Sequence, residues 1–338
     1  MKNQKIILGQ FFTRENVWLK KQIKNFILTS NCKIAYDPFA GGGHLLEVAK
    51  QIGIEKTKGL DVDKTLKWEF NDSLIKIPHL ENSIIITNPP YLYKSSSSRK
   101  KINKNLEKYF LSSKYDDIYL IALDKMLDAQ DYIVAIIPET FVNSNYEQKN
   151  RLFSLTVLEE NPFCDTDVPI LVACFDGNFK SLDKVKVYKN ESFINSLGEI
   201  ERLRLIPNKN VEMTFNCING WLAVRCVDST REEEMLRFDF KKNINYDWQN
   251  RIKVSSRSMT LIDINVEQEK RQIFIDECNR ILNEMRKKTS DIILSPFKGN
   301  MKNGQRRRRL DFFTCRAIIE KAYYKIVDKN LGGLFYED

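Results

Sequence analysis

Through the first half of the chain, short apolar runs alternate with helical patterns, the sequence form of a parallel sheet with crossover helices. "CKIAYDP" (32–38) predicts a first strand, and "FAGGG" (39–43) a tight turn into "HLLEVAKQI", where Leu45, Leu46, Val48, Ala49 and Ile52 line one broad helical face. "TKGLDVD" (57–63) predicts a second strand, "LKWEFND" (66–72) a weaker third, and "SIIITNPPY" (83–91) a buried fourth, because three β-branched isoleucines stand in a row. A basic stretch containing Ser95 to Ser98 predicts a loop, "DDIYLIALDKMLDAQ" a helix, and "DYIVAIIPETFV" and "VPILVACFDG" two more buried strands. Past about residue 180 the pattern weakens into short mixed strands, with one helix over "VEQEKRQIFIDECNRILNEMRKK". The expected fold is therefore α/β: a Rossmann-like, mostly parallel doubly wound sheet over 1–180, then a mixed α+β domain over 181–338.

Composition narrows the class. At 42% apolar and 29% charged, the 338 residues can bury substantial cores. No run is long and apolar enough for a membrane span, and the apolar stretch in "MKNQKIILGQFFT" is too short for a signal peptide, so the expected location is the cytoplasm. Seven cysteines without a CxxC pair read as reduced thiols, and two histidines leave too few ligands for a metal site. The net charge is +9, and most of the excess is C-terminal: residues 241–310 hold 17 basic and 8 acidic side chains. That bias, more than the run Arg306–Arg309 itself, predicts a polyanionic partner.

The candidate chemistry gathers at strand ends. Glycines between strand and helix allow close backbone approach to a ligand at a helix N-terminus, although a merely tight turn would look the same. Asp61 ends the second strand where an acid reaches ribose hydroxyls, with Asp63 the nearby competitor. Asp72 could accept from an adenine amino group or cap a helix. In "NPPY" the prolines force Asn88 out of the α region, so that the Asn88 side-chain oxygen and the Pro89 carbonyl form two acceptors beside the flat face of Tyr91. Such a corner suits a planar amino group.

The order "GQFFT" (9–13), "DPFAGGG" (37–43), "GLDVD" (59–63), "ND" (71–72) and "TNPPY" (87–91) resembles the gamma-class DNA adenine-N6 methyltransferases of restriction-modification systems, over residues 1 to about 180. The resemblance implies S-adenosylmethionine as cofactor, with Phe12 and Thr13 at its methionine end and Asp37, Phe39, Gly41 and Gly43 around it. Asp61 then falls on the ribose and Asp72 on the adenine. It further implies that Asn88, Pro89 and Pro90 form the catalytic corner with Tyr91, which stacks on a flipped base, and that Phe163 in "NPFCDTDVPILVACF" covers the base's other face. Gly42 stands where a serine is common, and Ser73 replaces an aromatic often found after the acid.

A sulfonium methyl needs positioning and acceptors at the amine rather than a metal or a covalent nucleophile. The partner expected is double-stranded DNA, with Lys298, Lys302, Arg306, Arg307, Arg308 and Arg309 among the contacts of the basic second domain. A cognate restriction endonuclease and a monomeric state follow from the resemblance alone. Two other readings share the NPPY corner: a glutamine methyltransferase of release factors, whose helical region normally precedes the catalytic domain, and a ribosomal RNA methyltransferase. Cytosine-N4 enzymes typically carry Ser in place of Asn88. A catalytically dead DNA-binding protein would show a damaged pocket, and this one is complete in sequence.

Overall fold

Five parallel strands build one end of the first sheet: β1 (Ile34–Asp37), β2 (Lys56–Asp61), β3 (Glu69–Phe70), β4 (Ser83–Thr87) and β5 (Tyr132–Pro138), in spatial order β3-β2-β1-β4-β5. The order reverses between β1 and β4, which opens a crevice beyond their carboxyl ends. The computed structural model describes residues 15–94, 104–163, 168–231 and 234–327. Phe12 and Thr13 lie outside the described residues, as does the serine run 95–98.

The sheet continues with β7 (Ile170–Asp176), antiparallel to both β5 and β6 (Leu152–Val157), and then with β8 (Lys186–Lys189) and β9 (Ser192–Ser196). β4 and β5 are buried almost throughout, as their contiguous apolar runs require. The His44–Gln51 helix packs Leu45, Leu46, Val48 and Ala49 against a core shared with Ala35, Ile84, Ile86 and Val134. The "LKWEFND" strand shrinks to the two residues of β3.

The chain divides into two units, Met1–Gly198 and Glu199–Asp338. The division falls later than the 180/181 expected from sequence because β8 pairs onto β6 and β9 onto β8, extending the first sheet. In the second unit, β10 (Met213–Phe215), β11 (Leu222–Arg225), β12 (Arg237–Phe240) and β13 (Met259–Ile264) form an antiparallel sheet, order β10-β13-β11-β12. Strand alternation sends Leu222 and Val224 into a core with helices Arg271–Thr289 and Phe312–Ile326, and Ala223 to the other face, under Ile244 and Trp248. A hairpin of β14 (Ser295–Asn300) and β15 (Arg306–Arg309) completes the unit. All six described cysteines are free thiols, and among the described residues no helix is long and apolar enough to cross a membrane and no cluster could hold a metal.

Candidate active site

The tips of β1 and β4 are tied together by one carboxylate. Asp37 closes β1, is 2% exposed, and its Oδ1 accepts hydrogen bonds from Thr87 Oγ1 (2.6 Å) and from the Phe39 amide (3.0 Å). Burial pushes its pKa up to about 7, against the opposing pull of those two donors. Thr87 is the residue before Asn88, so Asp37 fixes the entry to NPPY and the start of the glycine loop with the same oxygen. Nothing in the strand pattern singled out Thr87; only the pairing of β1 beside β4 reveals it.

Asp61 closes β2 and is 4% exposed; its Oδ2 accepts from the Gly41 amide and its Oδ1 from the Asp63 amide, both at 2.8 Å. A carboxylate has about four acceptor positions, so capacity remains for a ligand hydroxyl. Asp63 accepts from the amide and hydroxyl of Thr65, which shapes the turn after β2. Asp72 Oδ2 accepts from Tyr109 Oη and Lys108 Nζ instead of capping a helix with its side chain.

The glycine loop divides its labour. Gly41 has φ +48, and among the described residues a Cβ there would meet nothing nearer than the Phe39 carbonyl at 4.0 Å, so there is space for a ligand beside its backbone. Gly43 has φ +83 and a different neighbour: a Cβ would lie 2.6 Å from Cζ2 of Trp68. The same indole would meet a Cβ on Gly59 at 2.4 Å, and its Nε1 donates to the Gly41 carbonyl at 2.8 Å. Trp68 was legible as the one tryptophan of "LKWEFND", but its partnership with two glycines was not.

At the NPPY corner Pro89 is buried while Asn88, Pro90 and Tyr91 are half-buried. The Tyr91 hydroxyl lies against both Asn88 Oδ1 and the Ile136 carbonyl, the latter at 2.7 Å. Burial holds the Tyr91 phenol well above its ordinary pKa, so it serves as a donor. Its ring meets Phe163 edge-on, centroids 6.3 Å apart, and Tyr119 edge-on at 6.4 Å. The two residues named for base stacking therefore do come together, in an edge-to-face contact.

The basic run of the second unit is corrected by its strand. In β15 alternation buries Arg306 (5% exposed) and Arg308 (0%), leaving only Arg307 and Arg309 half-exposed. Arg308 donates its amide to the buried Asp228, which also takes a bidentate pair from Arg286, and Arg307 stacks on Phe297. Arg306 and Arg308 are not surface contacts for a polyanion, whereas Lys298 and Lys302 are exposed. Sequence reasoning passed over Lys241 and Lys242, which line a groove of about 680 Å³ with Tyr246 and Trp248 and an adjoining hollow with Trp221 and Phe240. Lys242 Nζ sits 5.8 Å from the Phe240 ring.

The space beside the Gly41 backbone, the remaining acceptor capacity of Asp61 and the carboxylate of Asp72 fit an adenosine-bearing ligand. Comparison with curated proteins gave no match. Among solved structures, the chain is similar to a type I restriction-modification system methyltransferase subunit from Streptococcus thermophilus (18% identity, 58% of this chain, TM-score 0.37), and the match spans about half, 52%, of that subunit. It is similar also to the EcoKI M protein of a type I restriction enzyme (14%, 98% of this chain and 74% of that one, 0.39) and to an rRNA methylase from Streptococcus thermophilus (15%, 47% and 94%, 0.27). With TM-scores this low, it is the strand order itself that carries the fold. Residues 11–165 match the Eco57I restriction-modification methylase family.

Proposed function

We propose that this chain is an S-adenosylmethionine-dependent DNA adenine-N6 methyltransferase that protects host DNA in a restriction-modification system. The observation that carries the proposal is the pair of hydrogen bonds that Asp37 accepts from the Phe39 amide and the Thr87 hydroxyl, which joins the glycine loop to the NPPY corner at one strand end. A cofactor site and a target-amine site are thereby built on one support, inside the region that matches the methylase family.

When bound, S-adenosylmethionine supplies a methyl group on positively charged sulfur. Gly41 and Gly43 with Phe39 would shape the loop around it, Asp61 would take the ribose hydroxyls, Asp72 the adenine, and Phe12 and Thr13 the methionine end. The remaining demands fall on the chain's own groups. Asn88 Oδ1 and the Pro89 carbonyl accept the two N–H groups of the target amine and draw its lone pair out of the ring's conjugation. Pro90 stiffens that corner, and the proton that the methylated nitrogen sheds goes to water. Asn88 Oδ1 has two acceptor positions, so the amine can take one beside the Tyr91 hydroxyl, with the Tyr91 ring stacked on the base opposite Phe163. Extruding the base costs a few kcal/mol, which the two aromatics offset.

DNA is the partner that the basic second unit suits, through Lys298, Lys302, half-exposed Arg307 and Arg309, and the groove of Lys241 and Lys242, where aromatic faces lie between cations. A companion endonuclease, action as a monomer and a cytoplasmic location belong to the same reading. The test is base-modification sequencing of genomic DNA from a methylation-deficient bacterium expressing this chain or its Asn88→Ala variant. N6-methyladenine at one short motif, with the intact chain only, is expected. Soluble, cofactor-binding protein that leaves adenine unmodified would overturn the DNA reading and turn attention to RNA and release-factor glutamine.

A further inference from the structure

Asp72 is held by a helix that the reading above does not use. Both of its side-chain hydrogen bonds, from Tyr109 Oη at 2.7 Å and Lys108 Nζ at 3.1 Å, land on Oδ2, and both donors lie on the helix Lys104–Leu111, which follows the NPPY loop in the chain. Tyr109 is 8% exposed and burial raises its phenol pKa, so it remains a donor at neutral pH. The Lys108 side chain is 53% exposed and the Asp72 side chain 20%.

We propose that Tyr109 is a positioning residue for cofactor recognition: it pins Asp72 Oδ2, leaves Oδ1 aimed as an acceptor, and so makes the site select an adenine amine over a carbonyl at the same ring position. The inference rests on the assignment of Asp72 to the cofactor's adenine. Rotation about the Cβ–carboxyl bond is soft and two-fold, so an untethered carboxylate presents its oxygens broadly. A hydrogen bond from a buried, rigid phenol removes that freedom. An ionised carboxylate can only accept, and a hypoxanthine carbonyl would set lone pair against lone pair. A site built to bond a polar group rejects the analogue that cannot form the bond far more strongly than a site that merely fits its shape. Lys108 reaches the same oxygen from solvent, where such a contact is screened and weak, so the discriminating role falls on Tyr109.

The experiment is calorimetric titration of the full chain with S-adenosylhomocysteine and with its inosine counterpart, for the intact protein and for Tyr109→Phe, Lys108→Ala and Asp72→Ala. Tyr109→Phe keeps the ring, and its ligand-free melting temperature is expected to stay near that of the intact chain. The intact chain is expected to prefer the adenosine ligand by about 10-fold or more, and Asp72→Ala to abolish the preference. Tyr109→Phe should cut it about 3- to 10-fold, and Lys108→Ala should change it less than about two-fold. If Asp72→Ala removes the preference and Tyr109→Phe leaves it whole, the role of Tyr109 is overturned while Asp72 stands. If Asp72→Ala also leaves it whole, the assignment of Asp72 to adenine fails and this inference fails with it.

Discussion

Gly43→Ala tests why a glycine ends the loop. With φ +83 the new side chain enters left-handed backbone, which costs an L-residue about 1–2 kcal/mol. Its Cβ would also stand 2.6 Å from Cζ2 of Trp68. That ring has little room to retreat, since Gly59 lies against it and its Nε1 is bonded to the Gly41 carbonyl. Overpacking of this kind costs about 1–3 kcal/mol, so the expected loss is about 2–5 kcal/mol. Denaturant unfolding would be followed by circular dichroism at the transition that S-adenosylhomocysteine shifts, in the natural and the Trp68→Leu backgrounds. The smaller side chain should relieve the steric part and leave the backbone part, a coupling of about 1–3 kcal/mol. Equal costs of Gly43→Ala in both backgrounds, within about 0.5 kcal/mol, would refute the wedge between indole and loop. The left-handed backbone alone would then be the reason for the glycine.

Asp37 has a folded pKa of about 7 against an ordinary 3.8, so its ionisation opposes folding, and the stability it gives at low pH is lost as pH rises from about 4 through 7. Asp37→Asn keeps an oxygen for Thr87 and Phe39 and cannot ionise; the stability gained between pH 8 and pH 5 should fall by on the order of 2–3 kcal/mol relative to the natural chain, read by denaturation at the two pH values. Arg308→Ala should cost about 2–4 kcal/mol of stability because it empties a buried position, whereas Lys298→Ala with Lys302→Ala should leave stability within about 0.5 kcal/mol and lower the slope of log affinity for DNA against log salt by about 1 to 2. A stable Arg308→Ala protein with weakened DNA binding would reverse that assignment. Tyr91→Phe removes the hydroxyl that takes one acceptor position of Asn88 Oδ1 and should methylate at least as well as the natural chain, while Tyr91→Ala should lose about 10- to 100-fold in kcat/KM, since base stacking on an aromatic contributes about 1–3 kcal/mol.

The sequence by itself determined the strands and the corner they lead to. Ile84 to Ile86 could only be a buried strand, and two prolines after Asn88 could only end it, because these are constraints of sterics and apolar pattern over a few neighbours. The glycine loop, Asp61 and NPPY were legible for the same reason. Tertiary structure alone decided what lies beside what. Pairing of β1 with β4 brought Asp37 to Thr87 across 50 residues, the fold after β2 set Trp68 against Gly43 and Gly59, and Asp72 found Tyr109 across 37. Local pattern carries no record of such distances. Arg306 to Arg309 make the point most plainly: charge in sequence says solvent, but a strand sends alternate side chains to opposite faces, and its pairing with β14 turned Arg306 and Arg308 inward.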